Sequence, residues 1–496
     1  MSARARTFDV IVVGGGPAGS VMAWSLARQG ADVLLLERAR FPREKVCGDF
    51  VEPRGLRILE RMGCLPALEE TAPLPITHVA MFLRSECAYR GAIPFYGRRA
   101  GLPPHGYIIP RDVLDYSMLR CAAQAGATVR QESRVVSVAC GQTGVQAQVQ
   151  RGERLSTHRA QLVVGADGVH SVVARSAELL EDDPRYSAVS QRAYAEGLSQ
   201  EDGEAAFFFD RELFPGYGWI FPMAGGRANL GVGILSETRD RHSISVPRLF
   251  SQFVDKARET DPRYSDLRLS GPPIGGIVKT YGGAGRNVFD RGLLIGDAGC
   301  FVDPMTGEGI TPAMESALLG SAVLLEALEQ GKFGAAFLSS YEESFRHYFG
   351  PAFGYVDLCA SLMRNEHFGD AWLDAVARGC KLAEKDTDFG RIAGATFGGM
   401  ELDPIGIAAQ IWTKAVGVMA AEGAHSLFGL LSGDLGRLSS SVGQMADWHL
   451  SWWRSALSDP AWHASWASDV ANKWLRLVVA APGLAEDPRA RGPLTN

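Results

Sequence analysis

This 496-residue chain has no CxxC pair, no cysteine–histidine cluster and no long block of lysine or arginine. Its eight cysteines (47, 64, 87, 121, 140, 300, 359 and 380) are scattered, which argues against structural zinc and fits a reducing cytoplasm. A formal net charge of -6 argues against a general nucleic-acid binder. No apolar run reaches the roughly 18 residues expected of a spanning helix. Residues 1–7 are too short and polar for a secretory leader, because the apolar run that follows reads as a strand. Repeats, low-complexity tracts and clear linkers are missing as well, so the parts of the chain are expected to interleave. What is present is 46% hydrophobic and 21% charged residues, the composition of a globular protein. The length suggests roughly two to four folding units.

The segment Phe8 to Glu37 carries the strongest signal. An apolar run meets Gly14-x-Gly16-x-x-Gly19, then a helix-like stretch, then a second apolar run closed by Glu37. This is the strand–turn–helix–strand order of a dinucleotide site. Gly14 permits the tight turn, Gly16 the approach of a pyrophosphate, and Gly19 close packing of helix on strand. The helix start, with Pro17 and Ala18, offers free N–H groups to phosphate. Glu37 is placed for ribose hydroxyls, with Arg38 beside it. An isolated motif of this kind is weak, but here strand, helix and acid are all in place.

Residues 41–110 read as irregular, and 111–126 as a helix ending at Gly126. Short alternating segments follow at 127–138 and 144–149, then an apolar strand at 160–164. Residues 188–280 read as β-rich, an inserted platform rather than a second dinucleotide unit. The expected organisation is an α/β fold: a Rossmann-like cofactor domain over 1–185 and 281–330 with a substrate-side insert near 75–110. A β-sheet substrate domain spans 186–280, and a mostly helical region 331–496.

Two further motifs identify the cofactor. A strand runs into Gly165-Ala166-Asp167-Gly168, and another into Gly296-Asp297 followed by Pro304, Gly307 and Gly309. Over roughly residues 8–350 the chain resembles the FAD-binding flavoproteins that include aromatic hydroxylases, flavin halogenases and geranylgeranyl reductases. The resemblance implies FAD. Asp297 is expected at the ribityl chain, Arg111 on the pyrophosphate side, and Asp167 where the pyrophosphate region and a transient NAD(P)H are ordered. Gly307, Gly309 and Ile310 lead into a helix expected to be capped by Thr311, with its positive end toward flavin N1 and O2. No second GxGxxG follows a strand, so a nicotinamide donor would dock briefly beside FAD. No metal site is expected.

Lys45-Val-Cys47-Gly48 resembles the KxCG stretch of the geranylgeranyl reductase branch, and Tyr217-x-Trp219-x-Phe221-Pro222 its aromatic platform. The halogenase versions, a Gly-Glu-Ser sequence and a Trp-x-Trp-x-Ile-Pro platform, are absent. Tyr217, Trp219 and Phe221 alternate, so on a strand they share one face and form a wall for an apolar substrate. Cys47 is taken as a site residue that gates the pocket or relays a proton, with Tyr217 the other proton-donor candidate. Asp49-Phe50 follows Cys47-Gly48 here, where this branch usually continues with another glycine or Gly-Leu, and the bulky Phe50 would reshape the pocket. The expected activity is NAD(P)H-linked reduction of a carbon–carbon double bond in a hydrophobic isoprenoid or polyketide-like substrate. Alternatives are an FAD monooxygenase, a cyclase using FAD without redox, and an electron-transfer partner. The oligomeric state is open.

In the tail, Trp448/Trp452 and Trp462/Trp466 are i,i+4 pairs, with Trp453, Trp474, His449, His463 and Lys473 nearby. Packing against the main body is the expectation, with a lid or a membrane-surface face as the alternative. The histidines are expected at the surface. The protein is placed in the cytoplasm, with peripheral membrane contact as an option.

Overall fold

The structure is a computed structural model that describes residues 6–93, 102–180, 182–199, 202–387, 390 and 454–480. The strand Thr7–Val13 lies at the centre of the cofactor sheet, parallel to Val33–Leu36 on one side and Arg154–Gly165 on the other. Thr128–Arg130 extends the sheet at one end and Gly292–Leu294 at the other. Val10, Ile11 and Val12 are fully buried, as expected for a parallel strand covered on both faces. The helix Pro17–Arg28 packs against Ile310–Gln330. Gly320 makes that approach possible, since a Cβ there would lie 3.1 Å from the Met22 methyl carbon.

The second sheet runs Arg268–Leu269, Ser187–Glu196, Arg227–Leu235, Tyr217–Met223, Glu204–Phe209, His78–Leu83, Glu86–Ala92, with Ile274–Lys279 also on Ser187–Glu196. Strands from residues 78–92 therefore complete a platform built mostly from residues 187–279. One face buries Phe82, Phe208, Ile220, Leu230 and Val232 against the helix Val246–Thr260 through Phe250 and Phe253. The opposite face packs with Phe50 and Ile108 and with Leu373 and Cys380 of the helix Gly369–Lys385.

The structure corrects several expectations. Residues 41–110 are not irregular: they include the helices Pro53–Met62 and Leu65–Glu69 and the strands His78–Leu83, Glu86–Ala92 and Gly106–Ile108. The stretch 188–280 contains the 15-residue helix Val246–Thr260, whose Leu249, Phe250, Phe253, Val254 and Ala257 form one buried stripe. Ile310–Gln330 has the length and apolar composition to cross a membrane, but 72% of its apolar window is buried inside the protein, so it serves as a core helix.

In the tail, Pro460–Ala480 packs on Gly350–Met363. Trp462 and Trp466 stack at 6.3 Å, and their indoles donate to Glu237 Oε1 (3.2 Å) and the Ser361 carbonyl (2.7 Å). Lys473 Nζ reaches Asp357 Oδ1 at 2.8 Å, and Arg364 is paired with Asp469. These contacts follow the packing reading. His463 is buried rather than exposed, with Nδ1 2.9 Å from the Asp459 carbonyl. Trp448, His449, Trp452 and Trp453 lie outside the described residues.

Candidate flavin and substrate site

The three motif glycines fail differently when a side chain is imagined on them. A Cβ on Gly14, whose φ is +102°, would sit 2.3 Å from the Ala166 carbonyl oxygen; one on Gly19 would sit 1.9 Å from the Gly14 carbonyl oxygen. Gly16 faces open space, with Arg43 Nη2 its nearest neighbour at 3.8 Å. Gly16 is also the cap of Pro17–Arg28, without a side-chain cap or an acid in the first turn. The turn is thus closed by Gly14 and Gly19 and left accessible at Gly16, where free N–H groups can meet a phosphate. Ala18 supports the arrangement from behind, its Cβ lying 3.0 Å from where a Cβ on Gly296 would be.

Glu37 braces this loop. Its Oε2 accepts from the Gly15 N–H and its Oε1 from the Ala39 N–H, both at 2.7 Å. Arg38 beside it is exposed. Arg111 is buried and bidentate to Asp115 at 2.7 and 2.8 Å, and Arg43 joins the same carboxylate at 2.9 Å. Asp115 therefore holds two guanidiniums, and Arg43, overlooked in the sequence, is the one beside Gly16. Lys45 is paired with Asp297 at 3.1 Å, so the KxCG segment and the third motif meet. Asp167 is used locally: it accepts from the Ser171 hydroxyl at 2.5 Å and the Val172 N–H at 2.6 Å, and burial raises its pKa.

At the third motif the expected Thr311 cap is replaced. The helix starts at Ile310 with Gly309 as its cap residue, and Glu308 Oε1 accepts from the Thr311 N–H at 2.8 Å. Gly307 has φ +67°, the left-handed conformation that glycine adopts without strain. Under this loop, Arg54 binds both oxygens of Glu315 at 2.8 Å and Glu52 at 3.3 Å, and Tyr348 donates to Glu315 at 2.7 Å. Burial raises the Glu52 carboxyl to about 7; burial and the neighbouring Glu52 raise Glu308 well above the usual range. Burial also raises Asp303.

The platform face opposite the helix is set by strand register. Phe207, Trp219, Gly231 and Arg192 stand in one row across four strands, with Phe221, Asn229 and Tyr194 in the next. Residues opposite one another in such pairs share a face. Tyr217, Trp219, Phe221 and Phe207 form a contiguous aromatic wall with centroid spacings of 5.3–6.2 Å. Phe50 joins it at 5.6 Å from Phe221. Gly231 lets the indole lie over the sheet, since a Cβ there would come within 2.3 Å of Trp219 Cζ2. The Tyr217 hydroxyl donates to the Thr306 carbonyl, joining the wall to the loop beside Gly307.

Beyond the wall the same face turns polar and grips the Cys47 segment. Arg192 donates to the Cys47 and Lys45 carbonyls at 3.2 and 3.1 Å, and Asn229 to the Cys47 carbonyl at 2.9 Å. Burial raises the Cys47 pKa against the nearby charge of Arg111, which keeps the sulfur a thiol at neutral pH. The structure thus brings together the glycine loop, Lys45, Cys47, Asp297, Gly307, Gly309 and the aromatic wall. Arg111 reaches the same place from the side of Cys47. Among the described residues no cluster suited to a metal ion occurs.

An accessible glycine at a free helix end, basic side chains beside it and a second loop paired to the first fit an extended dinucleotide. The comparisons agree. Residues 7–197 match the family described as FAD binding domain. A digeranylgeranylglycerophospholipid reductase of Methanopyrus kandleri is 33% identical over 370 residues, covering 70% of this chain and 85% of the relative. A menaquinone reductase of Mycolicibacterium smegmatis is 33% identical over 326 residues, covering 64% and 76%. Among solved structures, a geranylgeranyl bacteriochlorophyll reductase-like protein from Thermoplasma acidophilum superposes with TM-score 0.66 at 23% identity, covering 75% of this chain and 92% of that one. The flavin-dependent halogenase CmlS does so with TM-score 0.60 at 22% identity, covering 73% and 66%; at these identities the likeness is one of fold. With a cradle suited to FAD and relatives of this similarity, the chain belongs to the family of FAD-dependent oxidoreductases that includes the digeranylgeranylglycerophospholipid and menaquinone reductases.

Proposed function

We propose that the protein reduces a carbon–carbon double bond in a hydrophobic, isoprenoid-type substrate, with a nicotinamide donor reducing FAD. The observation that carries this reading is the aromatic wall of Phe207, Tyr217, Trp219 and Phe221, tied at Tyr217 to the loop beside Gly307. Reduced FAD supplies the hydride. The chain's own residues do the rest. The wall holds an apolar chain and excludes water. Arg43, Lys45 and the free end of Pro17–Arg28 would hold the pyrophosphate, and Asp297, paired with Lys45, would accept from the ribityl hydroxyls. Tyr217 acts as a positioning residue, because its proton is committed to the Thr306 carbonyl and burial raises its pKa well above the usual phenol range. The exposed Trp474 and Leu475 of the helix Pro460–Ala480 would let the protein rest on a lipid surface where such substrates reside.

The decisive measurement is an anaerobic single turnover. The reduced holoenzyme is mixed with a geranylgeranyl glycerol ether or with menaquinone, and flavin absorbance is followed. Reoxidation without O2, with a product two hydrogens heavier, is expected. Reoxidation only with O2 and an oxygenated product would assign an oxygenase instead, and product formed while flavin stays oxidised would assign a non-redox cyclase.

A further inference from the structure

Hydride addition leaves one carbon of the double bond short of a proton, and the two residues first expected to supply it are poorly placed to do so. Tyr217 donates to a backbone carbonyl, and burial pushes the Cys47 thiol up. A third acid lies two residues after Cys47. Asp49 is fully buried, and its backbone takes the left-handed conformation at φ +61°, which aspartate tolerates better than most residues.

Its two oxygens differ sharply. Oδ2 accepts from the Tyr194 hydroxyl at 2.6 Å and from Asn229 Nδ2 at 2.8 Å. Oδ1 is buried and has no hydrogen-bond partner among the described residues. A buried, ionised carboxylate would leave that oxygen's charge uncompensated. A carboxylic acid with its proton on Oδ1 suits this geometry, because both donors already serve the other oxygen. Arg192 and Arg111 lower its pKa through their charge, but their guanidiniums are paired with Glu44 and Asp115 and bond neither oxygen of Asp49. The remaining titratable neighbours, Tyr194 on the platform and the Cys47 thiol, are neutral at pH 7. Burial raises the Asp49 pKa to about 6, against the hydrogen bond from Tyr194 and the charge of Arg192.

Position supports the same role. Asn229 spans the Asp49 carboxyl, the Cys47 carbonyl and, through its Oδ1, the Trp219 indole at 3.0 Å. Asp49 therefore stands where the aromatic wall ends. Tyr194 is half-buried and gives it a route to solvent.

We propose that Asp49, protonated on Oδ1, is the proton donor of the reduction, and that Tyr194 returns the proton. The inference rests on the double-bond reading above. In the balanced step the π bond is lost and two C–H bonds form. One takes the hydride from FAD reduced by the nicotinamide donor. The other takes the Asp49 proton, which leaves a carboxylate that Tyr194 and solvent reprotonate.

Two arms test this. The infrared difference between wild-type and Asp49→Asn oxidised holoenzyme should show a buried carboxylic-acid band that disappears as pH rises through about 6, while the bands of Glu52 and Glu308, common to both, cancel. In the anaerobic turnover, Asp49→Asn should keep normal flavin content and normal flavin reduction. It should reoxidise with substrate on the order of 100-fold more slowly, without the wild-type fall in rate above that pH. A difference spectrum, wild type minus Asp49→Asn, that lacks this band, or reoxidation within three-fold of wild type, would overturn the proposal. If Asp49→Asn does not fold, Tyr194→Phe decides: losing its hydrogen bond should move the band's midpoint upward, and an unmoved midpoint sinks the idea. The infrared arm needs no substrate, so it fails or succeeds separately from the choice of substrate class.

Discussion

Gly19 and Gly231 both stand where a Cβ cannot, yet they serve the site by different means. At Gly19 the obstruction is the main chain of Gly14, 1.9 Å away, so only the backbone path of the phosphate loop is at stake. At Gly231 a Cβ would meet the far edge of the Trp219 ring at 2.3 Å first and the Gln191 carbonyl oxygen of the neighbouring strand at 2.6 Å next, so glycine protects the lie of a side chain as well as the approach of two strands. The turn of the cofactor half is built from backbone geometry, with long-range contacts such as Gly14 on Ala166 and Lys45 on Asp297 closing it. The platform half is built from side chains assembled across strand register. Chemistry common to a whole family suits the first construction, and choice of substrate suits the second.

The contrast can be broken most forcefully at the loop. Gly19→Ala should abolish flavin retention and destabilise the fold by at least about 3 kcal/mol, because main chain cannot yield to a new methyl group. Flavin absorbance against protein concentration, together with denaturant unfolding, measures both effects.

Next in size is the buried cluster under Gly307. Arg54→Met leaves Glu315 and Glu52 buried without their cation and should cost about 3–5 kcal/mol. The pH dependence gives the sign. The folded protein keeps a proton on Glu52 up to about 7, whereas an unfolded glutamate loses it near 4.5. Stability from this group therefore falls as pH rises between those values. Arg54 opposes the shift, so Arg54→Met should extend the fall to higher pH, as unfolding across a pH series would show.

The smallest expected effect sharpens the comparison most. Gly231→Ala should cost roughly 1–3 kcal/mol by displacing the indole. It should retain FAD and normal reduction by the donor while losing reoxidation by a hydrophobic substrate. If Gly231→Ala lost flavin as Gly19→Ala does, the division of labour between the two halves would be wrong.

The same division explains what the sequence revealed. Gly14, Gly16 and Gly19 were legible because they punctuate one short turn, although Gly14 also abuts the distant Ala166 carbonyl, which the turn alone does not reveal. The alternation of Tyr217, Trp219 and Phe221 was legible because a strand has period two. Asn229 and Tyr194 were not: they lie 180 and 145 residues from Asp49, and only strand pairing brings them together. Arg43 was hidden because its partner Asp115 comes from a separate helix. The cap at the third motif was misplaced by a small shift in where the helix begins, which gave the role to Glu308 instead of Thr311. The helix Val246–Thr260 carried its apolar spacing openly, but the strands on either side of it dominated the reading.

Asn229 has a consequence for redesign. One amide fixes the tilt of an indole, the path of a loop and the seat of an acid, so these cannot be altered one at a time. An engineer who replaces Trp219 therefore also disturbs Asp49. Phe207 and Met81, in the same row but away from Asn229, offer room to change what is accepted while leaving the reaction intact.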